Sequence, residues 1–591
     1  MGLKTTFSEN IDLTRPLQEY PRPTMQRDSY YNLNGYWDYA ITENKKPPKK
    51  YDGQIVVPFS PECELSGVNR KLLPTQYLWY HKTILDPRMK ISERVLLQFG
   101  AVDQSCAVYL NHKLVVTHHG GYLPFSADIT KYLKKNDNDL IVLVRDATDT
   151  SYHTRGKQKL KPSGMFYTAQ SGIWQTVFME CVPSTYIQSM KITPRYDDST
   201  VDIQLNLAGE SNEKNINGKI TIEDEEGCFY EVFDLDAHTI VPLPNFKSWS
   251  PEHPYLYRAT ITYGKDTVHT YFAMRKISVG VDKKGIARLL LNNRPYFQNG
   301  LLDQGYWPES LYTAPSDEAL IYDITMAKSL GFNLLRKHAK VEPERWYYHC
   351  DRLGMLVWQD MVNGGSCYHT WFVTYFPTIL PKISTLVNDN NYYLSSRTHK
   401  IGREEFIKEL QDMIAHLYHH PSIVMWVPFN EGWGQFHTVS TTKKIKRLDP
   451  TRLVDSSSGW FDQKCGDVRS LHIYFTPMKF HPEKRAVVLS EFGGYTLRIP
   501  EHTFSNSTYG YRHYKTSESL SNAIVHTYEK KLLPGIKNCL CASVYTQVSD
   551  IEEEINGLMT YDRKVLKVDA RKIKAMNDKI NVINENTNKL F

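Results

Sequence analysis

Beyond Gly285 the apolar residues of this 591-residue chain stop alternating and come instead in short unbroken runs. The runs are YFQNGLL, NLLRKH, MLVWQD, IVMWVPFNE, LVDSSSGW, SLHIYF, AVVLSEFGG and CASVYTQVSD. Between them lie amphipathic stretches such as SDEALIYDITMAKSLG, PERWYYHCDRLG and REEFIKELQDMIAHLYHH. Strands that are apolar throughout are buried on both faces, which is the condition of a parallel sheet crossed over by helices. Eight such units over residues 286–591 predict a (β/α)8 TIM barrel.

The residues before this point follow a different rule. NLNGYWDYAI, QYLWYHKTILD, RVLLQFG, CAVYLNHKLVVTHHGGY, DLIVLVRD and GIWQTVFMECV are short strands punctuated by turns, and residues 1–184 are read as a jelly-roll β-sandwich. Within them Val108-Tyr109-Leu110, an Asn-His-Lys turn and Leu114-Val115-Val116 form a hairpin pattern. Residues 185–285 carry a fresh set, from MKITPRY to HTYFAMRKISV, at the spacing of an immunoglobulin-like β-sandwich. Trp249 to Tyr257, WSPEHPYLY, is a proline-rich bend with a structural role. A chain of this length is expected to divide into two to four domains, and these readings divide it into three.

Charge excludes some partners. A net charge of +6 spread over the whole chain leaves no basic patch for nucleic acid or an anionic membrane. No apolar run is long enough to span a bilayer, and the first residues lack the apolar core of an export signal, so a cytoplasmic location is expected. The 9 cysteines have no metal-ligand spacing and read as free thiols, so no metal and no cofactor is expected.

In a barrel of this kind chemistry sits at the C-terminal ends of the strands. There the chain places Arg336 and His338, Asp360, Asn430 and Glu431, His472 and Tyr474, Glu491, and Tyr545. Glu431 ends the fourth strand and Glu491 the seventh, on opposite sides of the mouth. Two facing carboxylates are what cleavage of a glycosidic bond requires, one as proton donor and one ionised. Arg336 and Tyr474 are expected to keep Glu491 ionised, and Trp426, Trp433 and Phe436 to desolvate Glu431. Taken singly, each polar residue also has a structural reading, such as an Arg336–Asp360 ion pair.

These residues resemble glycoside hydrolase family 2, the family of β-galactosidases, β-glucuronidases and β-mannosidases. The resemblance runs through NLNGYW, GGYLPFSADIT, SGIWQTV, WSPEHPYLY, FAMRKISV, NLLRKHAKVEP, RLGMLVWQD, HHPSIVMWVPFNE and LSEFGG. It implies that Glu431 is the general acid/base and Glu491 the nucleophile of a retaining mechanism, with carboxyls about 5 Å apart. It implies that Asn430 bonds the sugar 2-hydroxyl, that Tyr474 stands beside the nucleophile, and that Arg336, His338 and Asp360 line the sugar site. His472, Trp433, Trp460 and Tyr545 are further candidate substrate contacts, the last three as stacking surfaces.

The departures bear on substrate. Where the family's β-glucuronidases carry an Asn-x-Lys element for the sugar carboxylate, this chain has EEEINGLMTYDRK, with Glu554 and Asn556 at the comparable positions. An acidic Glu554 would repel a uronate. WQDMVNGGSCYHT replaces the Glu-x-His metal pair of the large β-galactosidases, which leaves magnesium unsupported. The leading expectation is a β-galactosidase-type exo-glycosidase acting on an oligosaccharide, polysaccharide or glycoconjugate. The alternatives are β-mannosidase, α-L-arabinopyranosidase, β-galactofuranosidase or β-glucuronidase specificity, transglycosylation, or a non-catalytic carbohydrate-binding protein. A homo-oligomer is a further expectation from the resemblance. The aromatic-rich segment 363–399 is expected to shape the aglycone side or to meet a neighbouring subunit.

Overall fold

The computed structural model describes residues 2–90, 93–209, 218–224, 227, 229–233 and 237–588. The first domain is a sandwich of two antiparallel sheets. One has six strands, from Gly53–Val57 at one edge to Lys113–His119 at the other, and faces a four-stranded sheet centred on Val177–Val182 and Arg94–Phe99. Its core is made of the inward residues of both sheets, among them Trp37, Tyr80, Leu97, Val108 and Val142. The expected hairpin is present: Ser105–Leu110 pairs with Lys113–His119, and Leu110 lies opposite Lys113. Asn111 and His112 both take positive φ, 50° and 65°, as a two-residue turn matched to strand twist requires.

The second domain packs a three-stranded sheet, Thr185–Arg195 with Thr200–Gly209 and His238–Pro242, on a four-stranded one. Ile203, Ile220, Ile222, Ile261 and Val268 fill the space between them. Of the strand read from CFYEVFDLD, Phe229–Phe233 is observed, while Cys228 and residues 234–236 lie outside the described residues. The eight described cysteines are all free. Trp249, in the proline-rich bend, is buried among Leu334, Leu356, Val424 and Leu453 of the barrel, and its indole donates to the Asp351 carbonyl at 2.8 Å. A hairpin, Ile277–Val281 with Ala287–Leu291, straddles residue 285 and packs into the same cluster.

The barrel strands are β1 Gln298–Asp303, β2 Leu334–Lys337, β3 Leu356–Asp360, β4 Ile423–Val427, β5 Leu453–Val454, β6 Val468–Ile473, β7 Ala486–Gly493 and β8 Leu540–Thr546. They form one eight-stranded sheet in the order β5-β4-β3-β2-β1-β8-β7-β6, parallel throughout. Only β5 and β6 lack a ladder between them among the described residues, so the barrel is nearly closed. Each strand corresponds to one of the apolar runs. The helices between them start and stop where local chemistry dictates. Helix α1, Asp317–Ser329, is capped by the Ser316 hydroxyl accepting from the Ala319 amide, with Asp317 and Glu318 in its first turn. Helix α2, Glu344–Leu353, ends at Gly354 with φ 72°.

Candidate active site

Strand β4 ends at Val427, and the next residues are held by the chain following β5. The Glu431 amide donates to the Ser458 carbonyl and the Ser458 amide to the Phe429 carbonyl, both at 2.9 Å. The chain then turns sharply, with positive φ at Glu431 (50°), Gly432 (72°) and Gly434 (65°). A Cβ on Gly432 would lie 2.4 Å from the Phe461 ring, and the Gly434 carbonyl accepts from Arg397 Nε at 2.8 Å. The glycines therefore fix a tight turn against packed neighbours.

Glu491 lies where the β6–β7 and β7–β8 registers both shift, an irregularity that re-aims its side chain. One carboxylate oxygen accepts from Arg336 Nη1 at 3.1 Å and the other from the Tyr474 hydroxyl at 2.6 Å. Burial pushes the Glu491 carboxyl up, but His472, Arg336, His338 and the Tyr474 hydroxyl together outweigh it and hold the group at about 2. Tyr474 also meets Thr546 Oγ1 at 3.1 Å.

Arg336 organises the floor. Its guanidinium makes two bonds to Asp360 (3.0 and 2.9 Å), one to Asn430 Oδ1 (2.8 Å), and one each to the Ser490 carbonyl and Glu491 (3.1 Å). The planar fork of five donors is used in full. Asp360 also takes His338 Nδ1 at 2.7 Å. Arg336 and Asp360 are buried and form the layer beneath the cavity, whereas His338 and Asn430 line it. The expected ion pair and the expected role near the sugar thus coexist, one layer deeper than foreseen. With its oxygen on Arg336, Asn430 has its amide NH2 left for a ligand.

His472 stands between the two carboxylates, Nδ1 2.9 Å from Glu431 and 3.5 Å from Glu491, with Nε2 2.9 Å from Ser458 Oγ. Its side chain is fully covered, with Trp460 edge-on at 5.4 Å, and it lines the cavity beside both carboxylates. Donor atoms of Glu431, His472 and Glu491 lie within 4.8 Å of one another. This is the one group among the described residues with spacing that could hold a metal ion.

The cavity above these residues is about 240 Å³, enough for a monosaccharide unit. Trp433 and Trp460 line it, as expected. Trp426, Phe436 and Tyr545 do not. The Trp426 indole points away and donates to Asp449 at 2.9 Å, because alternate strand residues face the helical layer. Phe436 packs on Phe406 and Phe429, and Tyr545 is buried against Phe492 and Tyr495. Of the aromatic wall expected around Glu431, Trp433 lines the cavity, and His472 stands beside the carboxyl. Segment 363–399 contributes Thr374, Pro377, Thr378, Ser384 and Thr385 to the cavity, while Trp371, Ile379 and Leu386 face outward. A larger cavity of about 600 Å³ lies where the two sandwiches meet the barrel helices, away from Glu431 and Glu491.

Sequence reading missed Lys157 and Met165, which reach the cavity from the first domain, and Tyr509 and Tyr511. It named Glu554 and Asn556 correctly as cavity residues. Glu554 accepts from the Tyr167 hydroxyl and from Asn556 Nδ2 at 2.9 Å.

A parallel barrel presenting two carboxylates at its mouth, one of them held ionised, defines an enzyme that cleaves glycosidic bonds. Three successive segments match glycosyl hydrolase family 2 models: the sugar binding domain at residues 67–183, the family 2 domain at 185–275 and the TIM barrel domain at 284–491. The chain belongs to glycoside hydrolase family 2. It is 24% identical over 461 residues to a β-glucuronidase of Streptococcus agalactiae, covering 73% of this chain and 72% of that one. It is also 24% identical over 463 residues to a β-galactosidase of Photobacterium profundum, covering 74% of this chain but only 40% of that longer protein. The solved β-D-glucuronidase of Dictyoglomus thermophilum superposes with a TM-score of 0.73 at 17% identity, over 95% of this chain and 98% of that one, a likeness of fold.

Proposed function

We propose that this glycosidase is a retaining exo-β-glycosidase for a terminal, uncharged β-linked sugar, most simply a β-galactoside, in an oligosaccharide, polysaccharide or glycoconjugate. One observation carries the reading: oxygens of Glu431 and Glu491 lie within 4.8 Å of each other while Glu491 is held ionised. That close approach favours direct attack by Glu491, as in a retaining mechanism, over attack by an intervening water.

Glu491 attacks the anomeric carbon as the bond to the leaving oxygen breaks, and Glu431 gives that oxygen a proton. The result is a glycosyl ester on Glu491, which ends its negative charge. Glu431, now a carboxylate beside His472, takes a proton from water as the water oxygen attacks the anomeric carbon. The ester bond breaks, Glu491 regains its charge, and Glu431 regains its proton. The Asn430 amide NH2 donates to the 2-hydroxyl, where bonding strengthens as positive charge develops. Arg336, Tyr474 and His472 orient and balance Glu491 throughout.

Glu554 supports an uncharged sugar. A buried carboxylate in the cavity accepts from hydroxyls and opposes a sugar carboxylate. The test is a panel of p-nitrophenyl glycosides of galactose, arabinose, glucose, mannose, xylose, fucose and glucuronic acid. Turnover of a neutral glycoside, lost in Glu491→Gln, is expected. No turnover of any member would overturn the hydrolase mechanism, and strong activity on the glucuronide would overturn the argument from Glu554.

A further inference from the structure

Lys157 is a cation that the mechanism above does not use. It belongs to the first domain, yet it lines the catalytic cavity beside His338, Trp433 and Glu554. The residue is 6% exposed, and among the described residues its ammonium has no hydrogen-bond acceptor within 3.5 Å and no carboxylate within 4.0 Å. What surrounds the charge is aromatic: the Trp433 and Tyr167 ring centres are each 5.7 Å from Nζ. Rings compensate only part of the hydration that a buried ammonium gives up.

The backbone on either side is fixed, so this is a built position. The Arg155 and Gly156 amides both donate to the Asn363 carbonyl at 3.0 Å, and the Arg155 guanidinium donates to the Gly365 and Ser366 carbonyls of the same barrel loop. Gly156, with φ 62°, presses on the Ala339 carbonyl, which a Cβ would approach to 2.8 Å. On the other side Gln158 is tied to Asp103 and Tyr122 at 2.9 Å, and the Lys157 carbonyl accepts from the Tyr167 amide. The Tyr167 hydroxyl in turn donates to Glu554 and accepts from Gln304 Nε2 at 2.8 Å. One tyrosine therefore carries the ammonium on its ring side and the carboxylate at its hydroxyl end.

We propose that Lys157 is a specificity-determining residue, a donor brought by the first domain that works with Glu554 to read two neighbouring hydroxyls of an uncharged glycone. Lys157 donates to one hydroxyl oxygen and Glu554 accepts a hydrogen bond from the neighbouring hydroxyl. Hydroxyls can serve both partners at once, whereas a carboxylate seated on Lys157 would stand close to Glu554. The inference rests on the cavity being the glycone site.

The test uses the full chain and the variants K157M and E554Q, with their thermal midpoints measured as a check on folding. On a neutral aryl glycoside that the wild type hydrolyses, K157M is expected to lose about 10- to 100-fold in kcat/KM, the range of a hydrogen bond to a charged group. Among the monodeoxy glycosides, one should cost the wild type the same factor and cost K157M nothing further. Unchanged kcat/KM in a folded K157M, or a full additional loss with every deoxy substrate, overturns the proposal. Activity on a uronide that vanishes selectively in K157M overturns the uncharged-glycone assignment and makes Lys157 a carboxylate site. If the wild type hydrolyses nothing, the hydrolase mechanism fails on its own. Calorimetric titration with the free monosaccharides then reads Lys157 directly: weaker binding to K157M supports it, and equal or absent binding in both proteins overturns it.

Discussion

Replacing Arg336 by Met removes the cation on which the floor of the site depends. The side chains are similar in volume, so the change empties little space but leaves Asp360 with only His338 and Glu491 with only Tyr474 and His472. The Glu491 contribution can be worked from its acidity. A carboxyl displaced from its ordinary 4.5 to about 2 in the folded protein contributes about 3 kcal/mol, at roughly 1.4 kcal/mol for each of about 2.5 pH units. Its folded-state value is depressed, so this stability is fully present above pH 4.5 and is lost as pH falls toward 2. Arg336 is one of several causes, and it also leaves Asp360 and the Asn430 amide behind, so the loss at pH 7 is expected at about 3–5 kcal/mol, the range for breaking a buried ion pair. Without the arginine, burial is less opposed and Glu491 moves up. The acid limb of kcat/KM, which for Glu491 lies near the acid limit in the wild type, should then rise into the working range. Denaturant titrations followed by near-ultraviolet circular dichroism at several pH values, with pH–rate profiles on an aryl glycoside, measure both effects. A variant with wild-type stability at pH 7 and an unmoved acid limb would refute the reasoning.

Three further perturbations separate the site from its supports. Tyr474→Phe removes the 2.6 Å bond to Glu491 and should cost about 10- to 100-fold in kcat/KM with little change in thermal midpoint. An unchanged rate would mean that the hydroxyl has no part in holding the nucleophile. Trp426→Phe breaks the indole bond to the buried Asp449 and should cost about 2 kcal/mol in stability while leaving kcat within twofold. A large kcat loss there would return Trp426 to the active site. Gly432→Ala puts a Cβ at φ 72° and 2.4 Å from Phe461, and should lower both thermal midpoint and kcat because it displaces Glu431. Activity at the wild-type level would show that the turn yields easily.

The barrel was legible because its rule is local. A strand buried on both faces must be apolar along its length, and the eight runs could be picked out in order without knowledge of their partners. The β4/β7 placement of Glu431 and Glu491 followed from counting those runs. The hairpin across residue 285 was missed because its strands belong by pattern to the second domain and by packing to the barrel, and the change of pattern marks only the first. Which way each aromatic points was also illegible near the strand ends. Trp426 and Trp433 sit on the same stretch of chain, but the positive φ values at Glu431 and Gly432 turn the backbone between them. Strand alternation sends the first to the helices, and that turn sends the second to the cavity.

Lys157 shows a different kind of silence. TRGKQKLKP reads as a solvated basic loop, since lysines at this density usually face water. What removes Lys157 from water is the barrel loop Asn363–Ser366, more than 200 residues away in sequence, whose carbonyls take the amides and guanidinium beside it. The same logic applies to Glu554, whose charge is visible in EEEINGLMTYDRK but whose partner Tyr167 lies in the first domain. Strand-end residues can be assigned from the barrel alone because the barrel's own geometry aims them. A residue delivered by another domain acquires its role only from the interface, and here the two of opposite charge approach the same tyrosine, Tyr167, across that interface. Substrate choice in this chain should therefore respond to substitutions in the 154–167 segment that leave Glu431, Glu491 and Arg336 untouched, shifting KM among sugars with little change in the pH dependence of kcat. A 154–167 variant that alters the pH profile but not the ranking of sugars would place that segment with the catalytic groups instead.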